Sequence, residues 1–420
     1  MKRNSSLGFI FVTLLIDILG IGLLIPVLPE FIAELTQLSR SEAARQYGFL
    51  FALYGAMQFL FAPLLGTLSD QVGRRPVLLV SLFFAGVDYV LMALAPTMLW
   101  LYIGRALSGI TGASFTVANA YIADVSPPEE RSQNFGLVGA AFGVGFIIGP
   151  ALGGFLSQYG HRAPFWAAAL LCIANWLYGY FILPESLKVE NRRAFSWKAA
   201  NPLGALQMLG KYPVVWGLTG SLIASNLAMR CIESTWVLFT EARFGWKPDQ
   251  IGWSLAAFGA IALIYQMGLA RILIPLWGER RTMMIGLATA AIEFVAYALA
   301  TQGWMIYAIM ILGGVGLLGS QATQGLLSQQ VGEDEQGTLQ GALSSLANLM
   351  GIIGPIVATG LFSYFTRDSV PVKMPGISFL LGAFLNFLAL MIAVRALKRM
   401  PGISPSNKPS NKPSNEAGQQ

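Results

Sequence analysis

Twelve stretches of about twenty mostly apolar residues recur along this chain, and each is long enough to cross a bilayer. A hydrocarbon core of about 30 Å takes roughly 20 residues of helix at about 1.5 Å rise. The stretches fall near residues 7–29, 48–67, 77–95, 98–123, 133–158 and 164–183, then 214–240, 250–274, 282–300, 304–329, 338–364 and 376–397. Composition agrees: 55% of the 420 residues are hydrophobic and only 11% charged, where a soluble chain carries about a quarter charged residues. The mean hydropathy is +0.60. An ordinary cytosolic domain is therefore excluded. The expected fold is an all-α membrane protein.

Charge placement orients the spans. Lys2 and Arg3 precede an apolar run that contains Asp17 and lacks a small-residue cleavage site, so it reads as a retained first helix rather than a signal peptide. With the N-terminus inside, only Arg40, Arg45, Arg162, Arg243, Lys247, Arg367 and Lys373 of the 27 Lys and Arg residues fall outside, and Arg105 and Arg230 fall within spans. The positive-inside rule thus favours cytoplasmic N- and C-termini and an even number of spans. The net charge of +6 is explained by these scattered topology signals, and no nucleic acid partner is expected. The chain divides into a six-helix bundle at 1–184, a polar connector at 185–212, a second bundle at 213–400 and a tail at 401–420. In the connector, Asn201-Pro202 has the character of a helix start. The tail repeats SNKP and offers little to bury, so disorder is expected there.

An internal repeat carries more weight than hydropathy. At an offset of 205 residues Gly73 meets Gly278, Arg75 meets Arg280, Asp88-Tyr89-Val90 meets Glu293-Phe294-Val295, and Ile147-Ile148-Gly149-Pro150 meets Ile352-Ile353-Gly354-Pro355. Chance does not supply an ordered set through four spans. Twelve transmembrane helices in two parallel six-helix repeats follow, with a substrate site expected near the midplane between them.

Between spans two and three, GTLSDQVGRRP places Gly66, Asp70, Gly73, Arg74 and Arg75 around a tight turn. A basic topology anchor would explain the arginines but not Asp70 or both glycines. The pattern resembles the signature of the major facilitator superfamily, which implies that Asp70 and Arg74 latch the cytoplasmic side. In span five, Gly145, Gly149 and Gly153 recur every fourth residue with Pro150 and Gly154 beside them. A helix-packing seam explains this stripe completely. The arrangement also resembles the antiporter motif of drug-exporting members of that superfamily.

Ionisable residues inside spans cost about 2.5–3.5 kcal/mol each at the bilayer centre, so each needs a partner or a purpose. Asp17, Asp88 and Glu293 have no cation nearby in sequence, and a carboxylate in a poorly solvated cavity can take up and release protons near neutral pH. Arg230 and Glu233, three apart, can pair across one helical turn, and a local salt bridge facing a cavity is the simpler reading for them. Arg105 resembles the superfamily's span-four arginine, which implies proton coupling. Gln58, Asn119, Gln321, Gln324 and Asn348 are uncharged polar residues within spans that can hydrogen-bond a substrate or one another. Enzyme chemistry is poorly supported, because His161 is the single histidine and lies in a loop. Cys172 and Cys231 sit in apolar segments and imply neither a disulfide nor a metal site.

LLIDILGIGLLIPVLP, SDQVGRRPVLL, DYVLMAL, GRALSGITGA and STWVLFTEARFGW together are similar to the tetracycline/proton antiporters of bacterial inner membranes. The resemblance implies export of a metal-chelated tetracycline in exchange for protons, with Asp17, Asp70, Arg74, Asp88 and Arg105 at matching positions. No resident cofactor or metal is expected, a divalent metal travelling only as part of a chelated substrate. The partners implied are a small molecule, protons and the lipid bilayer, and the expected state is monomeric. The alternative is export of another metabolite, such as a siderophore, or of an unrelated drug. Two departures stand out. Ala290 occupies the place of the family's span-nine acid, one turn before Glu293, and span eight has no histidine.

Overall fold

Pro26 closes the first helix and Pro29 opens a second, so the first apolar run does not stay a single rod. The computed structural model describes residues 3–112, 114–127, 130–197, 201, 213–330 and 336–399. The helix suggested to begin at Asn201-Pro202 and the tail after residue 400 lie outside the described residues, apart from Asn201. In chain order the first half comprises α1 (Arg3–Leu24), α2 (Leu28–Thr36), α3 (Arg40–Val72), α4 (Arg74–Ala93), α5 (Met98–Gly112), α6 (Ser114–Val125), α7 (Arg131–Leu156) and α8 (Ala163–Ile182). The second half comprises α9 (Pro213–Phe244), α10 (Pro248–Leu263), a π-helical turn at Ile264–Leu269, α11 (Ala270–Trp277), α12 (Glu279–Leu299), α13 (Gly303–Gly313), α14 (Gly316–Ser328), α15 (Gln336–Phe365) and α16 (Ile377–Arg399).

Ten stretches among the described residues are long and apolar enough to cross a membrane, counting α10 to α11 and α13 to α14 as one each. The remaining two of the twelve spans are α5 with α6, on either side of residue 113, and α9, whose polar residues dilute its hydropathy. Large side chains such as Leu170, Phe181, Ile292 and Leu312 are mostly exposed. Such a surface is stable only against lipid.

Helix ends follow local chemistry. Ser39 caps α3: its hydroxyl accepts from the Glu42 N–H at 3.4 Å, and its own N–H donates to Glu42 Oε2 at 3.2 Å. That cap starts α3 well before the apolar run, so the helix covers 40–72 rather than 48–67. Pro63 and Pro355 sit inside α3 and α15. Thr67 and Thr359 hydroxyls donate to the carbonyls of these prolines, at 3.1 Å and 2.7 Å, which satisfies the hydroxyls within their own helices.

The first eight helices pack among themselves and the last eight do likewise, giving two bundles. Two seams join them, α3 against α15 and α7 against α10. In both, glycine lets the backbones meet. Gly55 abuts Gly351, and Gly252 abuts Pro150. The seams run from mid-helix, at Gly55 and Gly351, towards the helix ends away from the chain termini, at Gly48 and Thr359 and at Gly154 and Pro248. At that far face Arg40 Nε also reaches Glu241 Oε1 of α9 at 3.4 Å, and His161 lies between Glu34 (2.6 Å) and Glu30 (3.1 Å) of α2.

Candidate functional site

Asp17 of α1, Asp88 of α4 and Arg105 of α5 converge inside the first bundle. Asp88 is wholly buried, and its Oδ2 accepts a hydrogen bond from the Ser108 hydroxyl while Oδ1 has no partner. Arg105 is 8% exposed. It follows Gly104, against which Asp88 Oδ1 packs, its Nη2 donating to Met92 Sδ at 3.4 Å and its Nε left unpartnered. Its guanidinium stands 6.0 Å from the centre of the Tyr54 ring. Asp17, Tyr54, Arg105, Ser108 and Thr111 line a cavity of about 30 Å³. A water needs at least about 10–15 Å³ measured this way, whereas a drug-sized ligand fills several hundred. The cavity suits water and protons, not a drug.

Glu293 lies apart from these three, in α12 of the other bundle. It accepts a hydrogen bond from Tyr297 at 2.9 Å, and its carboxyl packs against Gly313 of α13, where no Cβ would fit. Ala290 packs against Gly316 of α14. Both positions therefore face the break between α13 and α14, as one helix face requires.

The glycine turn before α4 is densely bonded. Gly73 has φ of 110°, a conformation side chains resist. Arg74 Nη1 lies 2.6 Å from Asp70 Oδ1 and donates to Ser69 Oγ at 2.6 Å, and its Nε lies 3.2 Å from Asp124 Oδ2 at the end of α6. Glu185, just past α8, accepts from the Arg74 and Arg75 N–H groups at 2.9 Å and 3.2 Å, a carboxylate where a helix N-terminus favours one. Arg75 Nη2 donates to the Tyr180 carbonyl at 2.7 Å, and the Arg193 N–H of the connector donates to the Asp70 carbonyl at 3.0 Å. Gly66 faces Thr116 of α6. These bonds all stay on the first bundle and the connector's first residues.

The glycines of α7 face two ways. Gly145, Gly149 and Gly153 pack on Ile18, Gly22 and Leu23 of α1, while Gly154 packs on Pro248 and Asp249 of α10, with Pro150 between. Among the described residues, no hydrogen bond links the uncharged polar candidates to one another. Gln58 donates to the Gly112 carbonyl at 3.4 Å, Asn119 to the Phe115 carbonyl of its own helix at 3.0 Å, and Gln321 to Gln266 at 3.3 Å. Gln324 is exposed and Asn348 half-buried. Sequence reading missed Tyr54, Ser108, Asp124 and Glu185. For Glu185 a signal existed: a carboxylate just past a span, beside the basic turn.

Two helical bundles that clasp each other along two seams, with charged groups placed inside the spans, are the build of a secondary transporter. The chain belongs to the Major Facilitator Superfamily, whose profile matches residues 10–247 and 221–419. It is 42% identical over 363 residues to the class C tetracycline resistance protein of Escherichia coli, covering 86% of this chain and 91% of that one. To the class B tetracycline resistance protein of Escherichia coli it is 37% identical over 371 residues, covering 88% and 90%. The crystal structure of the human organic anion transporter MFSD10 superposes with a TM-score of 0.70 at 22% identity, over 94% of this chain and all of that one, a likeness of fold.

Proposed function

We propose that this chain is a proton-coupled antiporter of the bacterial inner membrane, with both termini cytoplasmic, that exports a small amphipathic drug of the tetracycline type by alternating access. The observation that carries the reading is Asp17 and Arg105 lining a water-sized cavity, with Asp88 held behind it by Ser108, in a chain about 40% identical to tetracycline resistance proteins over most of its length. A carboxylate buried without a cation in contact exchanges its proton as its surroundings open and close. Arg105 biases Asp88 through space and can release it when a helix shift separates them. Protons entering down their gradient, with about 2.3 kcal/mol per charge per 100 mV from the potential, drive the drug outward.

With the termini inside, the far face, where Arg40 meets Glu241 and Gly154 meets Pro248, is periplasmic. The polar turn from Gly66 to Arg75, tied within its own bundle here, is then free to bond the other bundle when the cytoplasmic side closes. The test is uptake of tetracycline and a panel of other drugs and siderophores into everted membrane vesicles, with and without a pH gradient. Gradient-dependent uptake of tetracycline supports the reading. Uptake that ignores the gradient, or that favours an unrelated compound, rejects it.

A further inference from the structure

Arg230 and Glu233 lie near the middle of α9, one turn apart, with Arg230 Nη1 2.6 Å from Glu233 Oε2. Their side chains are 35% and 41% exposed. The stem of Arg230 lies over Gly354 of α15, and its Nε is 3.9 Å from where a side chain at Gly351 would begin. Gly351 in turn abuts Gly55 of α3 across the seam between bundles. Tyr54, beside Gly55, lines the first bundle's cavity together with Asp17 and Arg105. Arg230 therefore lies beside the seam between bundles, next to the segment of α3 that carries Tyr54.

Packing gives no reason for this pair. An exposed ion pair on one helix adds little to stability, while two charges at mid-membrane are costly to insert. A pair this weak opens readily to a ligand that supplies both opposite charges. Resting on the drug-export reading above, we propose that Arg230 and Glu233 form the second bundle's half of the substrate site and select a zwitterionic substrate. The Arg230 guanidinium takes the anionic oxygens, for which its planar fork is shaped, and the Glu233 carboxylate takes the cationic group. A purely anionic substrate leaves Glu233 without a partner, and a purely cationic one leaves Arg230 without one, so both are disfavoured.

The experiment measures the concentration dependence of pH-gradient-driven uptake into everted vesicles for tetracycline, which carries an acidic enol system and a dimethylammonium group, and for its 4-dedimethylamino derivative, which lacks the cation. Glu233→Gln should raise KM about tenfold for tetracycline and lower it for the derivative, whose penalty of an unpartnered Glu233 is removed, so that discrimination between the two disappears. Arg230→Gln should raise KM about tenfold for both, with kcat within about threefold of the parent. Arg230→Lys, which keeps the charge and loses the fork, should fall between. The exchange of Arg230→Glu with Glu233→Arg preserves a pair of the same composition and guards against variants that fail to fold. A parental KM in that exchange, or unchanged KM values in both single variants, overturns the proposal. Parental vesicles that take up no tetracycline overturn the proposed function, and this inference with it.

Discussion

Asp88 receives one hydrogen bond, from Ser108, keeps Oδ1 unpartnered and stands near Arg105 without touching it. Asp17 borders the same small cavity. An amide has the shape of the carboxylate and cannot cycle a proton. Asp17→Asn or Asp88→Asn should therefore cut gradient-driven export more than about tenfold while leaving the protein folded, because a neutral side chain is cheaper to bury. Full uptake by both variants at normal yield would remove these carboxylates from the coupling step. Glu293→Gln should also strongly reduce coupled export. Since Ala290 faces Gly316 and Glu293 faces Gly313 on the same side of α12, Ala290→Asp added to Glu293→Gln should restore part of it. Normal export by Glu293→Gln across the pH range would instead make the residue a structural acceptor for Tyr297. The carboxylates were legible in the sequence because a charge in a twenty-residue apolar run is conspicuous. Ser108 and Tyr54 were not, since hydroxyls are ordinary in membrane helices, and Asp124 and Glu185 lie where charge is expected at a span's end.

At the scale of elements, the glycine stripe of α7 was legible as a packing seam, but its partners were not, because spacing names a face and not what covers it. Gly149 meets the backbone of Gly22, where a Cβ would lie 2.9 Å from the Gly22 Cα. Neither helix backbone can yield that space cheaply. Gly149→Val should therefore lower the melting temperature in detergent and the yield of folded protein, at a cost of about 1–3 kcal/mol for overpacking. A Gly149→Val protein as stable as the parent would mean that α1 and α7 do not meet this closely. Breaks within spans escaped the sequence for a related reason. Residues 264–269 form a π-helical turn, and α13 gives way to α14 near Gly314, against which the Tyr265 ring packs while its hydroxyl donates to the Ile311 carbonyl at 2.7 Å. Hydropathy runs unbroken through both places, because the interruptions are fixed by neighbouring helices.

For the whole molecule, the 205-residue repeat was enough to give two bundles, but not which helices seal them. That choice belongs to one state of a protein that must have at least two. The seals at the far face are weak where they are ionic: Arg40, with its side chain 76% exposed, pairs with Glu241 at 3.4 Å, an interaction worth about 1 kcal/mol or less. They are close-fitting where glycine brings α3 onto α15, so the face can part without breaking strong bonds. If transport requires that parting, a covalent tie there must stop it. A side chain at Gly48 would begin 2.9 Å from Thr359 Cβ, near enough for a disulfide, whose Cβ atoms lie about 3.5–4.5 Å apart after slight relaxation. Cys172 and Cys231 are buried, so an oxidant acts first on an introduced pair as the seam opens. Gly48→Cys with Thr359→Cys should transport while reduced, lose export on oxidation in proportion to the cross-linked fraction, and regain it with a reductant. Thr359→Cys alone, which leaves Gly48 without a side chain, should ignore the oxidant. Full export by fully cross-linked protein would show that the α3 and α15 seam stays closed through the cycle, and alternating access by separation of the bundles at this face would then be wrong.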